Sequence, residues 1–181
     1  MRTESQIAEM PDVVLKAREF AAHKHRKQVR KYSGEPYVVH LDSVADILRS
    51  YDIEAPEVLA AAYLHDTVED TDATMPEIFE TFGEEVAELV YWLTDAEQGK
   101  RKMRKLMSAW RLGRAPLQAK LVKLADIIDN TEDICRNDRH FAPVYLREAR
   151  KILEMMARAE GERLTGLAIF KDADRVAHIQ L

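Results

Sequence analysis

Apolar residues in this chain recur at three- and four-residue intervals almost from end to end, the spacing that lines side chains along one face of an α-helix. Val13, Val14, Ala17, Phe20 and Ala21 follow Pro11, a residue suited to a first helical turn. His40, Val44, Ile47 and Leu48 continue a second stripe shortly after Pro36. Pro56 opens a third helix, in which every position from Val58 to Leu64 is apolar. Thr74-Met75-Pro76-Glu77 has the form of a capping box, and Gly83 is placed to end the helix it starts. Further stripes are Val86, Leu89, Val90 and Leu93; Met103, Leu106, Met107 and Trp110; Leu117, Leu121, Leu124, Ala125 and Ile128; and Ala149, Ile152, Leu153 and Met156. No alternating run of β-branched residues is long enough for a strand. The pattern predicts one all-α domain over residues 11–181, a bundle of roughly eight to ten helices, after a flexible N-terminus of residues 1–10.

Composition narrows the class. A chain of 181 residues is the length of one domain, and 46% hydrophobic with 33% charged residues excludes a disordered or fibrous chain. Cys135 is the single cysteine, so no internal disulfide exists, a usage that fits a reducing compartment. Its surroundings offer no thiolate-stabilising arrangement, so it is expected to be a small core or surface residue rather than a nucleophile. Met1 to Gln6 lacks the apolar core of a secretory signal, and no apolar run approaches the ~20 residues of a membrane helix. A soluble, cytoplasmic protein with no membrane partner is expected.

The net charge of −5 conceals segregation. Lys24, His25, Arg26, Lys27, Arg30 and Lys31 form one basic stretch, Lys100, Arg101, Lys102, Arg104 and Lys105 another, while acidic residues gather at 52–57, 65–72, 77–88 and 95–97. Each basic run is as readily a solvated helix face as a binding surface. The pI of about 5.7 argues against nucleic acid as a partner. Basic stretches beside carboxylates suit a compact polyanion such as a nucleotide polyphosphate.

The carboxylates follow an apolar run. Val58 to Leu64 leads directly into His65-Asp66-Thr67-Val68-Glu69-Asp70, and crowded carboxylates next to a buried helix repel one another unless a cation compensates them. Adjacent His65 and Asp66 can both reach an ion beside the helix end. His40 falls on the apolar face four residues before Val44, and Asp126 lies among apolar neighbours in Leu121 to Ile128. Two imidazoles and two carboxylates suit manganese, iron, cobalt or zinc better than calcium, and would leave positions open for water and a substrate oxygen. Taken singly, an inward His is more often a hydrogen-bonded core residue, and a buried Asp a cap or half an ion pair. The set on successive helices favours a metal.

The segments Ala21-Ala22-His23-Lys24-His25-Arg26-Lys27-Gln28, Arg30-Lys31, Gly34-Glu35-Pro36-Tyr37-Val38-Val39-His40, His65-Asp66-Thr67-Val68-Glu69-Asp70-Thr71 and Lys123-Leu124-Ala125-Asp126 together resemble the HD-superfamily hydrolases of the RelA/SpoT type, above all the small stand-alone alarmone hydrolases. The resemblance runs from about residue 15 to residue 160. It implies an all-helical HD domain holding one manganese ion, and removal of pyrophosphate from the 3′ position of guanosine tetra- or pentaphosphate, the alarmone of the stringent response. It assigns His40, His65, Asp66 and Asp126 to the metal, Glu69 and Asp70 to an acid/base pair acting on water, and Asn130, Arg30 and Lys31 to the nucleotide. Lys100 and Arg101 are further phosphate candidates. Two departures stand out: Tyr32 and Ser33 lie in a loop of variable length before His40, and Glu132 and Asp133 follow Asn130 where the family commonly carries an Arg. The second bears on base recognition and leaves the metal chemistry untouched.

Alternative readings are the same chemistry on adenosine analogues, phosphate removal from another nucleotide such as NADPH, or a non-catalytic alarmone-binding module. Glu69 and Asp70 together speak against the module, since capture of a ligand needs no water-activating pair. The apolar positions Leu164, Leu167, Ile169 and Phe170 serve either core packing or a homo-oligomer contact, and packing is the expectation.

Overall fold

The computed structural model describes residues 10–95 and 99–180, so the expected flexible N-terminus lies almost wholly outside the described residues. Those residues form helices and no strand; the nearest approach to one is a lone antiparallel bridge between Val29 and Pro36. No helix among them is long and apolar enough to cross a membrane. The chain divides into two compact units, residues 1–94 and 95–181.

The first unit contains α1 (Asp12–Lys24), α2 (Val38–Ser50), α3 (Pro56–Leu64), the single turn α4 (Thr67–Asp70), α5 (Met75–Phe82) and α6 (Glu84–Leu93). Its centre is α3. Val58 to Leu64 are all buried, and α1, α2 and α6 pack around them. A helix apolar on every side must be enclosed, and three consecutive alanines (Ala60 to Ala62) let its neighbours come close. The capping box is half formed. Thr74 Oγ1 accepts from Glu77 N–H at 3.3 Å, but the Glu77 carboxylate turns to Lys24 Nζ at 3.0 Å instead of back to the cap. Gly83, at φ +84°, ends α5 in a conformation only glycine adopts without strain. Beneath α2 and α3, Arg18 makes a two-pronged bond to Asp42 at 2.8 and 2.9 Å, and Tyr63 Oη donates to the same carboxylate at 3.1 Å. This network locks three helices in register two residues from His40 and from His65.

The second unit contains α7 (Arg101–Arg114), α8 (Leu117–Asn137), α9 (Ala142–Glu160), the turn α10 (Glu162–Thr165) and α11 (Ala168–Ala177). Here the sequence pattern misleads at α7. Met103, Leu106, Met107 and Trp110 form a stripe, yet all four are exposed, by 44 to 55%. The buried face is Leu112 with the small residues Ser108, Ala109 and Gly113, and α7 packs against α9. Leu164, Ile169 and Phe170 are buried and α11 packs on α8, so these three apolar positions pack into the core, while Leu167 is only half-buried.

Candidate metal centre

The polypeptide bends where the chemistry begins. α3 stops at Leu64, His65 caps it, and Asp66 (φ −100°, ψ −5°) precedes α4. The helix is thus interrupted at the His-Asp pair, and Glu69 and Asp70 lie on a separate turn. The bend ends the apolar run and turns Glu69 and Asp70 out to the surface, while His65 stays buried.

His65 Nδ1 lies 2.8 Å from the carbonyl oxygen of Ala62. A carbonyl only accepts, so Nδ1 carries the proton and Nε2 presents its lone pair. That lone pair sits 3.1 Å from Asp66 Oδ2, and His40 Nε2 sits 3.7 Å from the same oxygen. The two imidazoles are 5.3 Å apart, centroid to centroid. Tyr37 Oη donates to Asp66 Oδ2 at 2.5 Å, its ring lying edge-on to His40. An imidazole lone pair facing a carboxylate oxygen at this range is repulsive until a cation sits between them. The donor set meets the chemistry of a divalent first-row metal held by nitrogen and oxygen. In the first unit, the buried His40 and His65 are thus the candidate imidazole ligands.

Beside Asp66 are Glu69 and Asp70, both exposed. Asp70 Oδ2 accepts from Gln28 Nε2 at 2.9 Å. Asp70 and Gln28, with Lys24, Arg26, Lys27, Thr71 and Asp72, line an open concavity of about 430 Å³. Lys24 is tied to Asp72 and Glu77. Arg30 is half-buried; its backbone N–H bonds Glu35 O. Lys31 is exposed and reaches Tyr32 Oη at 3.1 Å.

In the second unit Asp126 is buried on α8. Lys123 Nζ donates to its Oδ2 at 2.7 Å and Asn130 Nδ2 to its Oδ1 at 2.6 Å. Asn130, expected at the nucleotide, thus holds the carboxylate of a candidate ligand one helical turn away. Glu132 is exposed and pairs with Arg136 at 2.8 Å. Arg101 makes a two-pronged bond to Glu148 at 2.9 and 2.7 Å. Tyr145 is raised well above the ordinary phenol range, by burial first and by the Asp126 charge second, so it stays neutral.

Sequence reasoning gave no role to Tyr37, His25 or Gln28. Tyr37 had one available signal, its place a single helical turn before His40. His25 was read as part of a basic stretch, whereas only 2% of it is exposed.

Residues 17–163 match a family model described as HD domain. The guanosine-3′,5′-bis(diphosphate) 3′-pyrophosphohydrolase MESH1 of Mus musculus is 45% identical over 125 residues, covering 68% of this chain and 70% of that protein. The Homo sapiens protein of the same name is 44% identical with the same coverage. A solved structure of a metazoan ortholog of SpoT, described as hydrolysing ppGpp, superposes with a TM-score of 0.81 at 31% identity, over 92% of this chain and 94% of that one. The structure of lmo0812 from Listeria monocytogenes gives 0.68 at 28% identity, over 81% and 96%.

Proposed function

This chain belongs to the HD domain family, and on that premise we propose that it is a metal-dependent hydrolase of guanosine 3′-diphosphate 5′-(di/tri)phosphate, yielding GDP or GTP and pyrophosphate. The observation that carries the reading is the convergence of two imidazole Nε2 atoms on one Asp66 oxygen, at 3.1 and 3.7 Å. On this reading His40, His65, Asp66 and Asp126 would hold one manganese ion. A bound divalent cation acidifies water and stabilises negative charge at the attacked phosphorus.

The remaining work falls to the chain. Tyr37 fixes Asp66, and the Ala62 carbonyl fixes the tautomer of His65, so the ligands are set before the ion arrives. Glu69 and Asp70 share one turn of helix and take the proton of the attacking water. The bond between the ribose 3′ oxygen and phosphorus breaks, the water oxygen stays with the pyrophosphate, and the proton is delivered to the departing 3′ oxygen. Arg26 and Lys27, in the concavity beside Asp70, receive pyrophosphate charge. Arg30, Lys31 and Asn130 contact the nucleotide. A reducing cytoplasm suits the lone Cys135, whose thiol is pushed up by burial.

The test combines product analysis with two variants. With manganese and a panel of guanosine and adenosine 3′-pyrophosphorylated nucleotides, the protein releases pyrophosphate, and fastest from the guanosine substrates. Orthophosphate as the released ion would replace this reading with a phosphatase. Glu69→Ala abolishes turnover with metal content nearly intact, whereas Asp126→Ala empties the metal site. Full activity in Glu69→Ala rules out the water-activating role.

A further inference from the structure

His25 is a buried imidazole outside the candidate ligand set. Its Nδ1 lies 2.6 Å from Gln28 Oε1, and Gln28 Nε2 lies 2.9 Å from Asp70 Oδ2. The order of donors along this line is forced. An ionised carboxylate only accepts, so the amide NH2 of Gln28 faces Asp70 and its carbonyl faces His25. The carbonyl in turn requires a proton on Nδ1. The imidazole cannot swing away, because its ring stacks on Tyr37 at 4.7 Å and 27°. That tyrosine is the one bonded to Asp66.

Asp70 needs such a hold. It is exposed, at the end of a four-residue helix, and its carboxylate would otherwise sample several rotamers. Loop closure does not require these side chains. Gln28 N–H bonds His25 O at 2.8 Å, Tyr37 N–H bonds Gln28 O at 3.1 Å, and Val29 bridges Pro36, all through the backbone. The side-chain line runs from the buried His25 to the carboxylate and ends there.

We propose that His25 and Gln28 are positioning residues for Asp70: the amide occupies Oδ2 and leaves Oδ1 as the oxygen that handles the proton of the attacking water. This rests on Asp70 belonging to the water-activating pair. One buried ring then serves both halves of the site, reaching Asp70 through Gln28 and supporting Asp66 through Tyr37.

Steady-state kinetics on the manganese-loaded, full-length protein test it. Gln28→Leu keeps the side-chain volume and removes the donor; kcat falls about 10–100-fold, with KM within about threefold of the parent and with metal content and melting temperature unchanged. His25→Phe keeps the stack on Tyr37 and loses the Nδ1 proton, so it moves kcat the same way. His25→Asn restores most of the rate, because its amide N–H lies where Nδ1–H did. Adding Gln28→Leu to Asp70→Asn costs nothing further, as expected of groups acting through one another. Parental kcat in Gln28→Leu beside an inactive Asp70→Asn overturns the positioning role alone. Losses in Gln28→Leu matched by lost metal or lost folding, with His25→Asn no better than His25→Phe, overturn it in favour of a merely structural part. A fully active Asp70→Asn instead removes the reading of Asp70 on which it rests.

Discussion

Among single side chains, Asp66 carries the most demands. One of its oxygens faces His65, His40 and the hydroxyl of Tyr37. The hydroxyl supplies a donor that holds the carboxylate in place, as hydrogen-bond partners of ligating carboxylates do. Tyr37→Phe is therefore expected to weaken divalent-metal affinity about 10–100-fold while leaving the fold intact, which metal titration and thermal melting read separately. An unchanged affinity would mean that the hydroxyl merely fills space. The burial of the candidate ligands His40 and Asp126 was legible in the chain because both fall on apolar helix faces. Their supports were not. Tyr37 meets Asp66 across 29 positions and Gln28 meets Asp70 across 42, and no helical period links residues so far apart.

At the level of elements, α3 and α7 show when periodicity reads burial correctly. In α3 every apolar position is enclosed, because helices pack on all its sides. In α7 Met103, Leu106, Met107 and Trp110 face out, while Leu112 and the small Ser108, Ala109 and Gly113 are buried, since the spacing between helices is set by the backbone approach. Gly113 marks a close approach: a Cβ there would come within 3.1 Å of the Met155 carbonyl oxygen, which is backbone and cannot turn aside. Gly113→Ala is expected to lower stability by about 1–3 kcal/mol despite its better helix propensity. Met107→Gln, on the exposed face, should stay within about 0.5 kcal/mol of the parent. Urea unfolding of the two variants decides it; the reverse ranking would mean that the large apolar stripe, as the sequence pattern suggests, is the one that packs. A count of apolar residues at helical spacing finds the helix and can still choose the wrong face when the partner demands closeness.

For the molecule as a whole, the distribution of charge governs the response to acid. Residues 95–181 carry eighteen Lys and Arg against thirteen Asp and Glu, whereas residues 1–94 carry nine against nineteen. Asp95 belongs to the basic half. Burial alone would raise its carboxyl, but the charges of Lys123 and Lys105 and hydrogen bonds from Lys105 and Ser108 outweigh burial and hold it below the usual carboxylate range. Lys105 Nζ is 2.8 Å away and Arg111 2.6 Å. A carboxyl depressed in the folded state binds its proton more readily once unfolded, so its contribution is complete above the unfolded value of about 4 and disappears as pH falls through the folded one. Asp95→Asn is therefore expected to cost about 1–3 kcal/mol at neutral pH and progressively less in acid, until the two proteins unfold alike. Comparing the pair at each pH, with metal removed by a chelator, cancels the titration of every other group, the metal ligands included. A gap between them that stays constant from neutral to strongly acidic pH would show that the Asp95 carboxylate contributes shape rather than charge.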